Sequence, residues 1–428
     1  MKNKFIKNTL ILIIGGFLTK IMGMFIKIII TRNITDKAIS LYMLTLPTYN
    51  LFITLVTAGL QLSISKLTSE NKINRRKILS TSLRISIIIS IILEIILIIS
   101  SKYIAILLHN KSLYYPILSI MLSIPFIGIS SIIKGYFQGL NKMHIQVISN
   151  FIEQIIRILL FILILPKINN DIIAVTFIVG SNIVNEIASI IVLTLFFPKR
   201  KIKIKELFIS DKEIKKEILS ISIPNTTSKI IGTISYFFEP IILTNLLLIN
   251  GIKPNYISNE YGIITGYSMQ LLLLPSFFSM AISQSLIPII SNAYINKKYT
   301  YIKKKIKEIL LLSLSIGLLY TSIILIKPEF FLNLIYDTNK GGYYIRIMAP
   351  IFIFLYLETP ISAILQSMNM SKETMKISII GILIKNILMI ILSFLNFKIY
   401  SFIIPMLINI LFVSIYNFIL LKRKINSF

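Results

Sequence analysis

Twelve apolar runs, each eighteen or more residues long, dominate this chain of 428 residues and decide what it can fold into. A helix rises about 1.5 Å per residue, so about 20 apolar residues cross the hydrocarbon core of a bilayer. Inside lipid each backbone N–H and C=O must be satisfied within its own segment, which makes helices the reading for runs of this length. The runs lie at 8–31, 40–65, 78–100, 115–133, 145–165, 172–197, 218–249, 258–291, 309–327, 343–369, 374–396 and 399–421. The predicted fold class is an all-α polytopic membrane protein with twelve transmembrane helices. Composition agrees: 14% of the residues are charged and 55% hydrophobic, whereas soluble chains carry about 25% charged residues. Lys2, Lys4 and Lys7 precede a run that is too long for a signal peptide and lacks a small-residue cleavage site, so an uncleaved first helix is expected.

The charges are lopsided, with 45 Lys and Arg against 17 Asp and Glu, a net +28. On a soluble domain that excess points to nucleic acid. On a chain this apolar it belongs to the loops, and no nucleic-acid partner is expected. The N-terminus, the even-numbered connections and the C-terminus hold 29 of the cations and the odd-numbered connections hold 9. Seven more lie within the helices or at their ends: Lys20, Lys27, Arg84, Arg157, Lys229, Arg346 and Lys385. Both termini should therefore face the cytoplasm. Cysteine is absent, and the two histidines, His109 and His144, are far apart, so no disulfide, metal site or cofactor is expected.

The connection 199–217 holds eight of these cations with Ile202, Ile204, Leu207 and Phe208 interleaved. It reads as an interfacial linker attracted to anionic lipid, with a regulatory docking segment as the alternative. It divides the chain into an N-terminal six-helix lobe, 1–198, and a C-terminal six-helix lobe, 218–428. The halves repeat weakly. Thr19-Lys20-Ile21-Met22-Gly23 recurs as Ser228-Lys229-Ile230-Ile231-Gly232, Ser63-Ile64-Ser65 falls opposite Ile289-Ile290-Ser291, and Phe137-Gln138-Gly139-Leu140-Asn141 falls opposite Leu365-Gln366-Ser367-Met368-Asn369. With six helices per repeat the halves share one orientation, which predicts a pseudo-twofold axis along the membrane normal.

Ionisable residues within the spans are expensive and mark function or pairing. Lys20 and Lys27 are two turns apart on one face of the first helix, and Lys229 holds the repeat-related place in the seventh. Lysines facing one another between the lobes would make an electrostatic well for an anion, phosphate above all. The alternative is that each snorkels or pairs with a carboxylate such as Glu239. Glu153 and Arg157, spaced i,i+4, can neutralise each other. Glu186 lies beside Asn182 and Asn185, so these residues read either as a polar core joining the fifth and sixth helices or as a proton or cation relay. Glu153 and Glu186 have no nucleophile or metal cluster beside them, so an enzyme is not expected. Glu94, Glu358, Arg84 and Lys385 are isolated in sequence. Pro47, Pro224, Pro240, Pro275, Pro288, Pro350 and Pro360 interrupt the predicted spans, and Gly15, Gly16 and Gly23 loosen the first.

Leu18 to Lys27 (LTKIMGMFIK) and the stretch AGLQLSISKLTSE ending at Glu70 resemble the first helices of the stage V sporulation protein B family. So do KGYFQGLNKM (Lys134 to Met143), IEQIIRI (Ile152 to Ile158) and the block from Glu260 to Ala293. That family stands with the MurJ-like lipid II flippases in the multidrug/oligosaccharidyl-lipid/polysaccharide exporter superfamily. The resemblance implies a monomeric flippase of the bacterial cytoplasmic membrane. Its cargo would be a polyprenyl-pyrophosphate-linked saccharide, lipid II or a related wall or polysaccharide precursor, moved by alternating access. It also implies a cationic cavity for the pyrophosphate, with Lys20 at the matching basic position. MurJ-like members carry fourteen helices, so the path of the lipid tail departs from that pattern in a chain with twelve. A cation-coupled multidrug exporter is the alternative, weakened by the two lysines and absent carboxylates of the first helix.

Overall fold

The computed structural model describes the backbone of residues 2–57, 59–70, 73–197 and 211–427; the side chains of 2–14, 224, 225, 228, 281, 284–286 and 288 lie outside that description. Every regular element among the described residues is a helix. The chain forms two compact units, 1–238 and 239–428. Most of the linker expected over 199–217 falls outside the described residues, and the boundary between units lies inside a long helix that begins at Lys212.

The first unit comprises α1 (Lys2–Asn33), α2 (Asp36–Thr57), α3 (Leu60–Glu70), α4 (Arg75–Leu107), α5 (Tyr114–Leu118), α6 (Ile124–Gly139), α7 (Met143–Ile164), α8 (Asp171–Gly180), α9 (Asn182–Leu195) and the larger part of α10 (Lys212–Ile249). Asparagines open two of these helices. The Asn74 side chain accepts from the Arg76 N–H, and that of Asn170 accepts from the N–H groups of Ile172 and Ile173. The predicted span 40–65 is divided between α2 and α3, where Gly59 takes φ +66, and a Cβ there would run into Thr226 and Ser222 of α10. The hydroxyls of Ser63 and Ser222 meet at 2.7 Å beside it. Close approach recurs between α3 and α6: a Cβ on Gly135 would lie 2.5 Å from the Gln61 carbonyl oxygen, and one on Gly139 2.6 Å from that of Ser65. Two glycines four apart thus let the α6 backbone rest on that of α3. Leu60, Ile64, Leu67, Ile132 and Phe137 fill the core around this seam.

The second unit comprises α11 (Pro254–Ile263), α12 (Met269–Leu272), α13 (Ser276–Ile295), α14 (Tyr299–Ile326), α15 (Pro328–Tyr336), α16 (Gly342–Ser367), α17 (Ser371–Phe394) and α18 (Tyr400–Asn426). The expected single span 258–291 is broken here. A π-helical turn, Ile264–Ser268, joins α11 to α12, and the helix stops before Pro275, which has no N–H to donate. The break leaves carbonyls to satisfy, and two tyrosines do so: Tyr320 donates to the Leu271 carbonyl and Tyr356 to that of Leu272, each at 2.6 Å. The other prolines expected to interrupt spans do not end helices. Pro47, Pro350 and Pro360 lie inside α2 and α16, and α10 and α13 run on through Pro224, Pro240 and Pro288. Packed membrane helices absorb the lost bond.

Ten helices among the described residues are long and apolar enough to cross a membrane. The remaining two predicted spans correspond to α1 and to the broken segment α11–α13. The repeat motif is visible locally. Asn141 and Asn369 both adopt positive φ, 56° and 64°. The two helix ends share one pattern, with Lys142 N–H to the Phe137 carbonyl in the first and Met370 N–H to that of Leu365 in the second.

Candidate functional site

The polar core of the first unit is built on α7. Gln146, Ser149, Glu153 and Arg157 follow at helical spacing and share one face, and Glu153 is buried. Its carboxylate lies 3.3 Å from the Lys134 ammonium of α6 and 3.3 Å from the Arg157 guanidinium. On α9, Glu186 accepts from the hydroxyl of Ser130 on α6. The hydroxyls of Ser149 and Ser189 meet at 2.6 Å and tie α7 to α9. Glu186 stands close enough to Lys134, Glu153 and Arg157 to feel their charge, so two basic and two acidic side chains lie in one cluster. Asn185 beside it is fully buried, and neither atom of its amide has a hydrogen-bond partner among the described residues.

The expected Glu153–Arg157 pair is therefore present, and Glu186 joins it. Lys134 belongs to the same cluster, although sequence reasoning assigned it to a connection. The signal that would have found it is the helical register of 124–139, which carries Ser130 and Lys134 one turn apart on one face.

In the second unit the buried carboxylate of Glu239 pairs with Lys385 of α17, and the two side chains are only 7% and 15% exposed. Lys385 lies 228 positions after Arg157, the same offset as the repeated motif. The same offset counted from Ser130 and Glu186 reaches Glu358 and Ser414. Glu358 accepts from the fully buried Asn417 at 3.4 Å.

The three lysines predicted to bind an anion behave differently. Lys20 on α1 and Lys229 on α10 are exposed, and neither has an ion-pair partner among the described residues; both fall in the first unit. Lys27 is partly buried and feels the charge of Lys20. Glu239, the carboxylate expected as an alternative partner for Lys20 or Lys229, is taken by Lys385. α1 is held against α7 at Gly15, where a Cβ would run into Val147.

Residues 5–294 match the family model described as polysaccharide biosynthesis protein, and residues 264–395 match that described as MatE. Stage V sporulation protein B of Bacillus subtilis (strain 168) is 33% identical over 92% of this chain and 78% of its own length. Lipid II flippase MurJ from the same organism is 24% identical over 91% of this chain and 77% of its own length. A solved multidrug resistance MATE family transporter of the MOP superfamily, in its inward-facing conformation, superposes with a TM-score of 0.77 at 14% identity, covering 96% of this chain and 95% of that one. An outward-facing structure described in the same words gives 0.61 at 14% identity, over 100% of this chain and 96% of that one.

Proposed function

The chain belongs to the polysaccharide biosynthesis protein family, within the MOP superfamily of multi-pass membrane transporters that work by alternating access, and from that premise we propose that its cargo is a polyprenyl-pyrophosphate-linked saccharide. Lipid II or a related wall or polysaccharide precursor is the class meant. One observation carries the reading. Lys134, Arg157 and Lys385 are paired in the cores, whereas Lys20 and Lys229 are exposed without an ion-pair partner among the described residues. An unpaired cation in a membrane segment is costly and is retained where it meets an anion or a wet cavity. Lys20 and Lys229, with Lys27 beside the first, hold the pyrophosphate in the inward-open state and release it as the lobes rock. Taken from the sequence repeat, the lobes are 1–198 and 218–428, a division that assigns Lys20 and Lys229 to different lobes although both fall within the compact unit 1–238, and both termini lie in the cytoplasm of a bacterial cell. The sequence relatives, a sporulation protein and a lipid II flippase, support this cargo.

A second reading, a cation-coupled multidrug exporter, is supported by the likeness to solved MATE transporters, which on fold alone stands nearer to it. The buried carboxylates Glu153 and Glu239, with the partly buried Glu358, favour it too, since proton or cation coupling needs such groups. Reconstituted vesicles separate the two. Lys20→Ala and Lys229→Ala are expected to lower flipping of a labelled lipid-linked saccharide by about tenfold or more, as loss of a charge-assisted bond of about 1.5–3 kcal/mol predicts. Full flipping by both variants would remove the lysines from the binding site, and absence of flipping by the unaltered chain together with ion-gradient-driven drug efflux would establish the second reading instead.

A further inference from the structure

On the second unit, α14, α16 and α18 line an open groove of about 460 Å³. That is within the range of about 300–1,000 Å³ typical of small-ligand sites. Its wall is apolar, with Leu310 and Leu314 of α14, Leu357 of α16 and Phe418 of α18, and Lys303 and Lys307 line it toward the N-terminal end of α14. We propose that this groove binds one anionic phospholipid, its phosphate on Lys303 and Lys307 and one acyl chain along the wall.

Four observations carry this. Lys303 and Lys307 are four residues apart, so like charges stack on one helix face, an arrangement that is unfavourable until an anion bridges them. Both are exposed, and neither has an ion-pair partner among the described residues. Glu308, the nearest carboxylate in sequence, is engaged by Lys305 at 2.6 Å and does not relieve them. Lys297, Lys298 and Lys304 lie in the same stretch, which the distribution of Lys and Arg assigns to the cytoplasmic face. Anionic lipids attract basic segments there, and basic pockets between membrane helices on that side hold lipid headgroups. A phosphate at one end of an apolar groove needs a lipid that carries both, and an anionic diacyl lipid is the abundant one. The inference does not depend on which cargo is transported.

The chain contains no tryptophan, so Phe418→Trp, at a half-exposed position on the groove wall, gives a single fluorophore. The full chain carrying it is placed in vesicles containing brominated phosphatidylglycerol or brominated phosphatidylcholine, and quenching is followed against mole fraction. Phosphatidylglycerol should reach half-maximal quenching at about one-thirtieth the mole fraction that phosphatidylcholine needs, given about 1 kcal/mol for each of the two lysines near an anionic surface. Lys303→Gln with Lys307→Gln should abolish that preference, and Lys304→Gln should preserve it. Equal quenching by the two lipids, or a preference that survives the double variant, overturns the proposal. So does recovery of fluorescence by unlabelled polyprenyl phosphate more readily than by unlabelled phosphatidylglycerol. Quenching that falls as protein density rises would assign the groove to a second copy of the chain and overturns the proposal as well. If Phe418→Trp does not fold, native mass spectrometry of the unaltered chain and the double variant replaces it: phosphatidylglycerol retained equally by both overturns the proposal.

Discussion

Glu153 holds two cations in place, so its removal is worth more than the loss of one bond. Glu153→Gln leaves Lys134 and Arg157, with side chains 12% and 22% exposed, without the carboxylate that bridges them and with Glu186 as the one carboxyl group left in their cluster. Breaking a buried pair in this way costs about 3–5 kcal/mol. A lower unfolding temperature in detergent, with no recovery at high salt, is the expected result. The Glu239–Lys385 pair allows the converse test: Glu239→Gln alone should be strongly destabilising, while Glu239→Gln with Lys385→Met should fall within about 1 kcal/mol of the parent, because no buried charge is left over. Outside the spans, Glu329 on α15 accepts two hydrogen bonds from Arg346, at 2.6 and 2.9 Å, which hold its carboxyl below the usual carboxylate range. A depressed carboxylate contributes stability above its unfolded value, about 4.3, and loses it as pH falls through the folded value. Both side chains are more than a third exposed, so the contribution is at most about 1 kcal/mol. Arg346→Gln should therefore lower the unfolding temperature slightly at pH 7, and the difference should vanish in acid below the folded value. Pairing within one helix was legible in the sequence, because i,i+4 spacing places Glu153 and Arg157 together whatever the fold. Lys134 with Glu153, and Glu239 with Lys385, are tertiary facts that no spacing rule supplies.

Glycines separate two roles that helices of this kind combine. Gly135 and Gly139 sit against carbonyl oxygens of α3, which cannot move aside as a side-chain tip does. Gly135→Ala or Gly139→Ala should push α6 off α3 and destabilise by about 1–3 kcal/mol, the usual cost of overpacking. Gly23 on α1 has nothing within 4 Å of where a Cβ would stand. Gly23→Ala should therefore stabilise α1 by up to about 1 kcal/mol through helix propensity. If a pliable α1 matters to the transport cycle, that variant will show an unchanged or raised unfolding temperature together with slower transport. A rate equal to the parent would confine the flexibility argument to other elements. The sequence marks seven prolines as breakers, yet only Pro275 follows a helix end. Hydropathy sees an apolar residue in each case and cannot tell where tyrosines such as Tyr320 and Tyr356 stand ready to satisfy the carbonyls that a break frees.

At the scale of the whole molecule, class was readable because a bilayer leaves so few solutions for long apolar runs, and the lopsided charge added orientation as an expectation. Cargo was less readable, since one scaffold serves different substrates and the site rather than the fold decides among them. The driving force distinguishes them. A lipid-linked pyrophosphate leaving a negative interior gains about 2.3 kcal/mol per charge per 100 mV, about 50-fold in distribution. Immobile lysines such as Lys20 and Lys229 bind that charge without cancelling the gain, because they do not cross with it. Outward flipping in vesicles should therefore fall when potassium and valinomycin collapse the potential, and persist when sodium and pH gradients are removed. A cation-coupled exporter predicts the reverse, because its energy enters through carboxylates such as Glu153 and Glu186 that bind the coupling ion on one side and release it on the other. If abolishing the ion gradient stops transport while the potential is held constant, the cationic-well mechanism is excluded, and Glu153→Gln rather than Lys20→Ala becomes the variant that uncouples transport.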